Sequence, residues 1–454
     1  MQTIHDNTIK NIQDCFTTTN KGTVCWFHDK FGSFLINTLG IYSKSENLYI
    51  YKNGVYRRND NDILRAIQLY CKDAKESFRK EVSKYIQVSA PVLEIKDDVN
   101  LIGCQNGVYN IETDEFTGYD KDMFLQHKLS ADYNKDAKSD AVDKMLNKIT
   151  CNNKAVRSLI EEMIGYCLYR NCRYQKVFLL RGFGKNGKST LLESIQNMIG
   201  EENYSALSLN NLQDKFKVAE LQDKLANICD DLSNAYIKET EDFKKIATGG
   251  EMTMERKNQQ PFKYKNYAKL IMCANEIPKS ADKTEGYYRR FVIIPLDAKI
   301  SNTDADFDPN ISDKLATEEA KSYLLNLALN GLKRLLKRGY FEEIDETKEE
   351  MNTYKAENDP IIAFVNEYEL KNINNKTTDS VFSDFCDWYK KENNKASTYT
   401  KTSFSRTLNR VFNVTSEPRN IGRVYIVKNV NPNELQPLEL SEEEKLPFDE
   451  IFDK

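Results

Sequence analysis

Histidine is nearly missing. The 454 residues hold three, His5, His28 and His127, and none has metal-ligand spacing. Ten cysteines occur without one C-x-x-C pair, which excludes the usual zinc and dithiol motifs. Several sit in apolar runs, where a thiol behaves as a small hydrophobe. The pattern predicts a reduced, cytosolic chain. No apolar run nears the roughly 18 residues of a membrane span, and no secretory signal opens the sequence. Strong net charge is missing too. Sixty-five basic and 69 acidic residues leave −4, which by itself speaks against a general nucleic-acid coat.

The charge is uneven, however. From Asn431 to Lys454, eight acids and two bases give −6, so the rest of the chain carries +2 (−4 minus −6). From Lys371 to Val430, eleven bases and five acids give +6. An acidic tail follows a basic module; it screens that module, binds a partner or only keeps the chain soluble. The length leads us to expect two to four domains.

The organising stretch is KVFLLRGFGKNGKSTLLESIQNMIG, Lys176 to Gly200. An apolar run, Val177 to Leu180, reads as a buried strand. A glycine-rich turn follows: Gly182, Phe183, Gly184, Lys185, Asn186 and Gly187, then Lys188, Ser189 and Thr190. Apolar residues then recur at helical spacing up to Gly200. G-x-x-x-x-G-K-S between strand and helix is the context of a phosphate-binding P-loop. Glycines let backbone N–H groups turn inward around an anion, and a helix N-terminus favours negative charge. Lys188 is expected on the β- and γ-phosphates of ATP, and the Ser189 hydroxyl on Mg²⁺.

Downstream residues fit the same chemistry. A second apolar run, Leu225 to Cys229, ends in Asp230 and Asp231. Carboxylates at a buried strand's end suit metal binding, assigned to Asp230, and polarisation of the attacking water, assigned to Asp231. Met252–Glu255 and Pro261–Tyr264 read as a hairpin with Arg256 and Lys257 at its tip. That tip reads as a grip on a phosphate backbone or as a solvated turn. A third strand, Lys269 to Ala274, ends in Asn275, placed to touch the γ-phosphate. Arg289 and Arg290 precede a strand from Phe291 to Ile294. One of them can supply transition-state charge in trans; otherwise they are surface ion pairs.

The remaining segments frame this core. Residues 1–130 read as a mixed α/β accessory domain, with hairpin turns at Asn53-Gly54 and Asn106-Gly107 and one helix from about Asp62 to Ile86. Residues 131–173 read as a helical collar, 174–300 as the ATPase core, 301–358 as a helical lid and linker, and 431–454 as the acidic tail. Residues 359–430 read as three helices and a two-stranded wing, hence a winged helix. Its third helix carries Lys401, Ser403, Arg406, Asn409 and Arg410, of which Lys401, Arg406 and Arg410 are expected on DNA in a major groove. A protein-binding winged helix is the alternative.

In this order the motifs resemble a superfamily 3 helicase, and more narrowly the helicase part of phage, plasmid and poxvirus primase–helicases. NGVYNIETDEFTGYDKD, TGGEMTMERK, CANEIP and GYYRRF are similar to that family, including replication initiator helicases of staphylococcal phages and pathogenicity islands. The likeness covers roughly residues 100–430 and is specific over 176–295. It implies an α/β, AAA+-type P-loop core in a hexameric ring. It implies ATP- and Mg²⁺-dependent 3′-to-5′ translocation on single-stranded DNA, and binding of origin double-stranded DNA. By that resemblance Lys188 and Ser189 are the P-loop pair and Asp230 and Asp231 the Walker B acids. Lys257 is the channel lysine and Asn275 the sensor. Arg290 is the finger onto the neighbouring subunit, with Arg289 the alternative. No primase active site is legible in residues 1–130, so a separate primase or host replication proteins are expected partners, in the cytoplasm of a bacterial host. The alternatives are an ATP-binding origin scaffold and a DNA-moving ATPase without unwinding.

Overall fold

The structure, a computed structural model, describes residues 11–427 except 22, 23, 46, 59, 73, 233–235, 258 and 259. The acidic tail, and Asn258 and Gln259 of the basic hairpin, lie outside the described residues. The chain divides into two units that meet in sequence at Met351 and Asn352.

The first unit begins with a short antiparallel pair, β1 (Phe16–Thr18) and β2 (Val24–Trp26), and a helix, α1 (His28–Leu39). A meander follows: β3 (Ile41–Lys44), β4 (Asn47–Lys52) and β5 (Val55–Arg58). Its β4–β5 turn is Asn53-Gly54, with φ of 54° and 90°, the backbone that a two-residue hairpin of right-handed twist requires. The single helix expected over 62–86 is instead two, α2 (Asp60–Tyr70) and α3 (Glu76–Ser89). A turn closed by Ala74 N–H onto the Cys71 carbonyl breaks it. Ile63 and Ile67 of one helix and Val82 and Ile86 of the other thereby bury in one apolar cluster. A second meander comprises β6 (Leu101–Cys104), β7 (Gly107–Asn110) and β8 (Glu115–Thr117). Cys104 pairs with Gly107, so its turn is Gln105-Asn106 rather than Asn106-Gly107. Gly107 is required for a different reason. A Cβ there would stand 2.5 Å from the Thr117 carbonyl oxygen.

Two helices, α4 (Asp140–Ile149) and α5 (Lys154–Leu168), lead into the core. The core chain then runs β9 (Val177–Arg181), α6 (Lys188–Ile199), β10 (Tyr204–Ser205), β11 (Ala226–Cys229), α7 (Glu241–Thr248), β12 (Glu251–Met254), β13 (Phe262–Lys265), β14 (Lys269–Ala274), α8 (Glu285–Tyr288) and β15 (Phe291–Pro295). Five of these strands form one wholly parallel sheet in the order β10-β11-β14-β9-β15. β9, β11 and β14 are apolar along nearly their whole length and buried, as strands covered on both faces must be. Beyond the sheet come α9 (Ile311–Leu315), α10 (Glu318–Arg338) and α11 (Asp345–Asn358).

α10 packs along α5 at a contact that two glycines permit. A Cβ on Gly165 would lie 2.2 Å from the Ala328 carbonyl oxygen, and one on Gly331 2.4 Å from that of Glu161. Glu161 and Glu162, buried in the middle of α5, meet Arg334 and Arg338 of α10. The helix expected in the lid and linker thus packs on the segment expected as a collar. No helix among the described residues is long and apolar enough to cross a membrane.

The second unit holds α12 (Pro360–Tyr368), α13 (Leu370–Ile373), α14 (Thr378–Asn393), α15 (Lys401–Phe412) and an antiparallel hairpin, β16 (Val414–Arg419) and β17 (Gly422–Val427). Phe364, Phe385, Phe404 and Leu408 bury between its helices.

Candidate nucleotide site and the basic hairpin

The glycine-rich turn leaves β9 and enters α6 through left-handed backbone at Gly184, Lys185 and Gly187 (φ 87°, 48° and 83°). That wraps the turn into a cradle at the N-terminus of α6. Gly182 is buried beneath it, where a Cβ would stand 2.5 Å from the Leu296 carbonyl oxygen. The Gly184 position opens to free space.

Lys188 heads α6 and is 8% exposed. Its ammonium donates to the Gly182 carbonyl at 2.5 Å and to Asn275 Oδ1 at 3.3 Å. Burial pulls it below the ordinary lysine range, with Cys273, Asp230 and Asp231 opposing. Ser189 Oγ donates to Asp230 Oδ1 at 3.1 Å. Asp230 and Asp231 follow β11 and are exposed. Sheet order explains the meeting. β14, which ends beside Asn275, lies between β9 and β11. The loops at the C-terminal ends of three adjacent parallel strands thus share one edge, the usual place for a ligand in an open α/β sheet. The residues present fit a nucleotide with its divalent cation. They offer an open backbone cradle, a buried ammonium and a hydroxyl–carboxylate pair.

Other expected residues stand elsewhere. Asn186 turns its side chain away from the cradle and donates to the Leu296 carbonyl at 3.0 Å. It braces the turn. Thr190 lies one step further along α6, half-buried. Arg289 and Arg290 precede β15, whose Phe291 pairs with Val177 at the start of β9. They stand at the opposite edge of the sheet, about 16 Å of strand from the cradle at ~3.3 Å per residue. Arg289 is exposed. Arg290 has a buried Nε without a partner. Burial and Arg289 pull its guanidinium below the ordinary range, against Asp282.

The hairpin forms in the expected register, with Met252 opposite Tyr264, but its strands lie one residue nearer the root, from Glu251 opposite Lys265 to Met254 opposite Phe262. Met252 and Met254 bury, while Lys263 and Lys265 face out. Lys257 is exposed just beyond it. Arg256, expected beside Lys257 at the tip, folds back. It donates to Gln222 Oε1 at 2.7 Å and lies 5.4 Å from the Phe262 ring centre. On α15, Lys401 is 2.5 Å from Asp379, Ser403 completes a capping box with Thr400, and Asn409 donates to the Val414 carbonyl. Arg406 and Arg410 are exposed.

Residues 180–290 match a family of unknown function, DUF5906. Residues 18–151 match the D5 N terminal like family, and residues 356–447 the poxvirus D5 protein-like family. A protein of Acanthamoeba polyphaga mimivirus that bears the name of a helicase is 25% identical over 319 residues, which covers 64% of this chain and 33% of that protein. In these matches the chain resembles the phage and poxvirus type of primase–helicase family. It spans about a third of the length of that curated relative, 33%. The fold is similar to that of the apo C-terminal region of NrS-1, at 14% identity and a TM-score of 0.51, over 87% of this chain and 98% of that one. A second apo form of that region is 15% identical, with a TM-score of 0.48 over 86% and 96%.

One part of the site gives no signal in the sequence. The segment after β15 straps the P-loop: Leu296 N–H donates to the Arg181 carbonyl at 2.8 Å, and Ile300 N–H to that of Lys185 at 2.7 Å. No local pattern signals a backbone contact more than a hundred residues away.

Proposed function

We propose that the chain is an ATP-driven replicative DNA helicase and replication initiator of a phage or mobile element. The observation that carries this reading is the meeting of Lys188, Ser189, Asp230 and Asn275 at one sheet edge. One buried six-residue strand, β14, joins that edge to the root of the basic hairpin.

Lys188 offers its ammonium to phosphate charge, and the inward-turned backbone of the cradle adds N–H donors. Ser189 and Asp230 are the residues that would hold Mg²⁺, which when bound neutralises phosphate charge. Asp231 orients the attacking water, and Asn275 reports the γ-phosphate. Arg290, too far from its own cradle, acts on the nucleotide of a neighbouring subunit in a hexameric ring of AAA+ type, with Arg289 as the alternative. A change at Asn275 passes along β14 to the hairpin, and Lys257 draws single-stranded DNA in the 3′-to-5′ sense. Arg406 and Arg410 of α15, in a winged-helix unit, meet origin duplex DNA. The proposed setting is the cytoplasm of a bacterial host, with a separate primase or host replication proteins as partners.

The test is ATP hydrolysis with and without single-stranded DNA, followed by strand separation on a forked duplex, with Lys188→Ala as control. DNA-stimulated turnover with unwinding, lost in the control, supports the helicase. Stimulated turnover without unwinding leaves a DNA-moving ATPase. ATP binding and assembly without DNA-linked turnover leaves an origin scaffold.

A further inference from the structure

A second polar recess lies at the other edge of the sheet, where the strands begin. It is a cleft of about 450 Å³. Arg57 and Arg58 enter from the end of β5, Glu202 from ahead of β10, Gln222, Asp223 and Lys224 from ahead of β11, and Arg256 from the hairpin. Arg57 is ion-paired to Glu202. The other three cations have no carboxylate within ion-pair distance among the described residues. Lys224 donates to the Glu202 carbonyl at 2.7 Å, and Arg256 to Gln222. The guanidiniums of Arg58 and Arg256 both lie against the Phe262 ring, 5.8 and 5.4 Å from its centre. Stacking fixes where those two cations sit while leaving most of their N–H donors unused. Asp223 is the remaining acid. Burial pushes its carboxyl up, with Arg58, Arg256 and Lys224 pulling the other way. Counting side chains, four cations face two anions, a surplus of +2.

We infer that this cleft binds the sugar–phosphate backbone of single-stranded DNA, as a path that joins the hairpin to the N-terminal meander. Arg256 links the two places, since it is adjacent in sequence to the exposed Lys257 and lodges its guanidinium in the cleft. Preplaced arginines beside an aromatic ring suit a backbone and its bases without reading sequence. The inference rests on the DNA-binding reading above and adds Arg57, Arg58 and Lys224 to it. The N-terminal domain thereby gains a task in guiding the strand.

The experiment is binding of a fluorescent single-stranded oligonucleotide to the full chain across a salt series, without ATP. Arg58→Ala with Lys224→Ala should weaken binding and reduce the log–log salt slope by about 1.4, two contacts at ~0.7 each. Arg58→Lys keeps the charge and loses the stack, so its slope should match the unmodified chain while affinity falls. If the double variant melts early, Arg58→Gln alone should lower the slope by about 0.7. An unchanged slope in a variant of unchanged melting temperature, while Lys257→Ala still lowers it, overturns the cleft and spares the helicase reading. No oligonucleotide binding by the unmodified chain overturns both.

Discussion

The two edges of the central sheet are built differently. At the C-terminal edge the P-loop, Asp230 and Asn275 come from loops that follow neighbouring strands, and each bears on the next through a side chain. At the N-terminal edge Arg58, Lys224 and Arg256 come from three segments, and Phe262 and Gln222 hold two of them in place. On the proposed reading the first edge takes one compact anion, in a cradle closed from below by Leu296. The second is an open recess for an extended one. An edge that binds a nucleotide can drive an edge that holds a strand only if something rigid joins them, and β14 spans the interval with every residue buried.

The largest expected effect tests whether the edges of different subunits meet. Lys188→Ala and Arg290→Ala should each lower ATP turnover by about 10³-fold or more. Mixed in one assembly, the two inactive variants should regain turnover, because an intact cradle from one then faces an intact arginine from the other. Absence of recovery in assemblies shown to be mixed would return Arg290 to a structural role. The same mixing with Arg289→Ala decides between the two arginines.

Next in size is the cation site. Asp230→Asn keeps the hydrogen bond that Ser189 donates and removes a charge. It should raise the Mg²⁺ concentration for half-maximal turnover by about 10–100-fold, the range found for altered metal surroundings. A Mg²⁺ titration of turnover that leaves the midpoint in place would move the cation away from Asp230.

The C-terminal edge was legible because its chemistry is written in short runs. G-x-x-x-x-G-K-S, an apolar strand ending in two acids, and a strand ending in Asn each carry their own context. Their contact needs only a parallel sheet with β14 between β9 and β11. Where the reading failed, the cause was tertiary. Nothing near Asn186 shows that its amide will be taken by Leu296. Nothing near Cys71 shows that a long amphipathic segment will break so that both halves reach one core. Asn106-Gly107 carried a turn signal, yet Gly107 is in strand because Thr117 crowds it. Arg58 and Lys224 had no signal at all, being 166 residues apart (224 minus 58).

A smaller effect probes the N-terminal edge without DNA. His127 lies beside it, fully buried, with Nε2 on the Asp223 carbonyl at 3.1 Å and near the Tyr267 hydroxyl, and with Nδ1 unpartnered. Burial, with Arg170, Lys224 and Arg57 adding and the Asp223 carbonyl opposing, lowers its pKa from 6.5 to about 3. The unfolded chain therefore takes a proton that the folded chain refuses. The stability is fully present above about 6.5 and is lost as pH falls below it, by at most about 1.4 kcal/mol per pH unit. His127→Gln should flatten denaturation midpoints between those two pKa values; an unaltered acid slope would mean that the imidazole is wet.

The smallest effect separates the hairpin tip from the cleft behind it. Lys257 is exposed and Arg256 is folded back. An exposed lysine contributes one phosphate contact, so Lys257→Ala should lower the salt slope for single-stranded DNA by about 0.7, a difference of roughly threefold in relative affinity between 50 and 200 mM salt. Arg256→Ala removes a contact of the same charge together with the stack on Phe262. It should show the same slope change and a larger loss of affinity at every salt concentration. If the two variants prove indistinguishable, Arg256 leaves the cleft when DNA arrives and the hairpin acts by its tip alone. If they differ as stated, the strand is held by both regions at once.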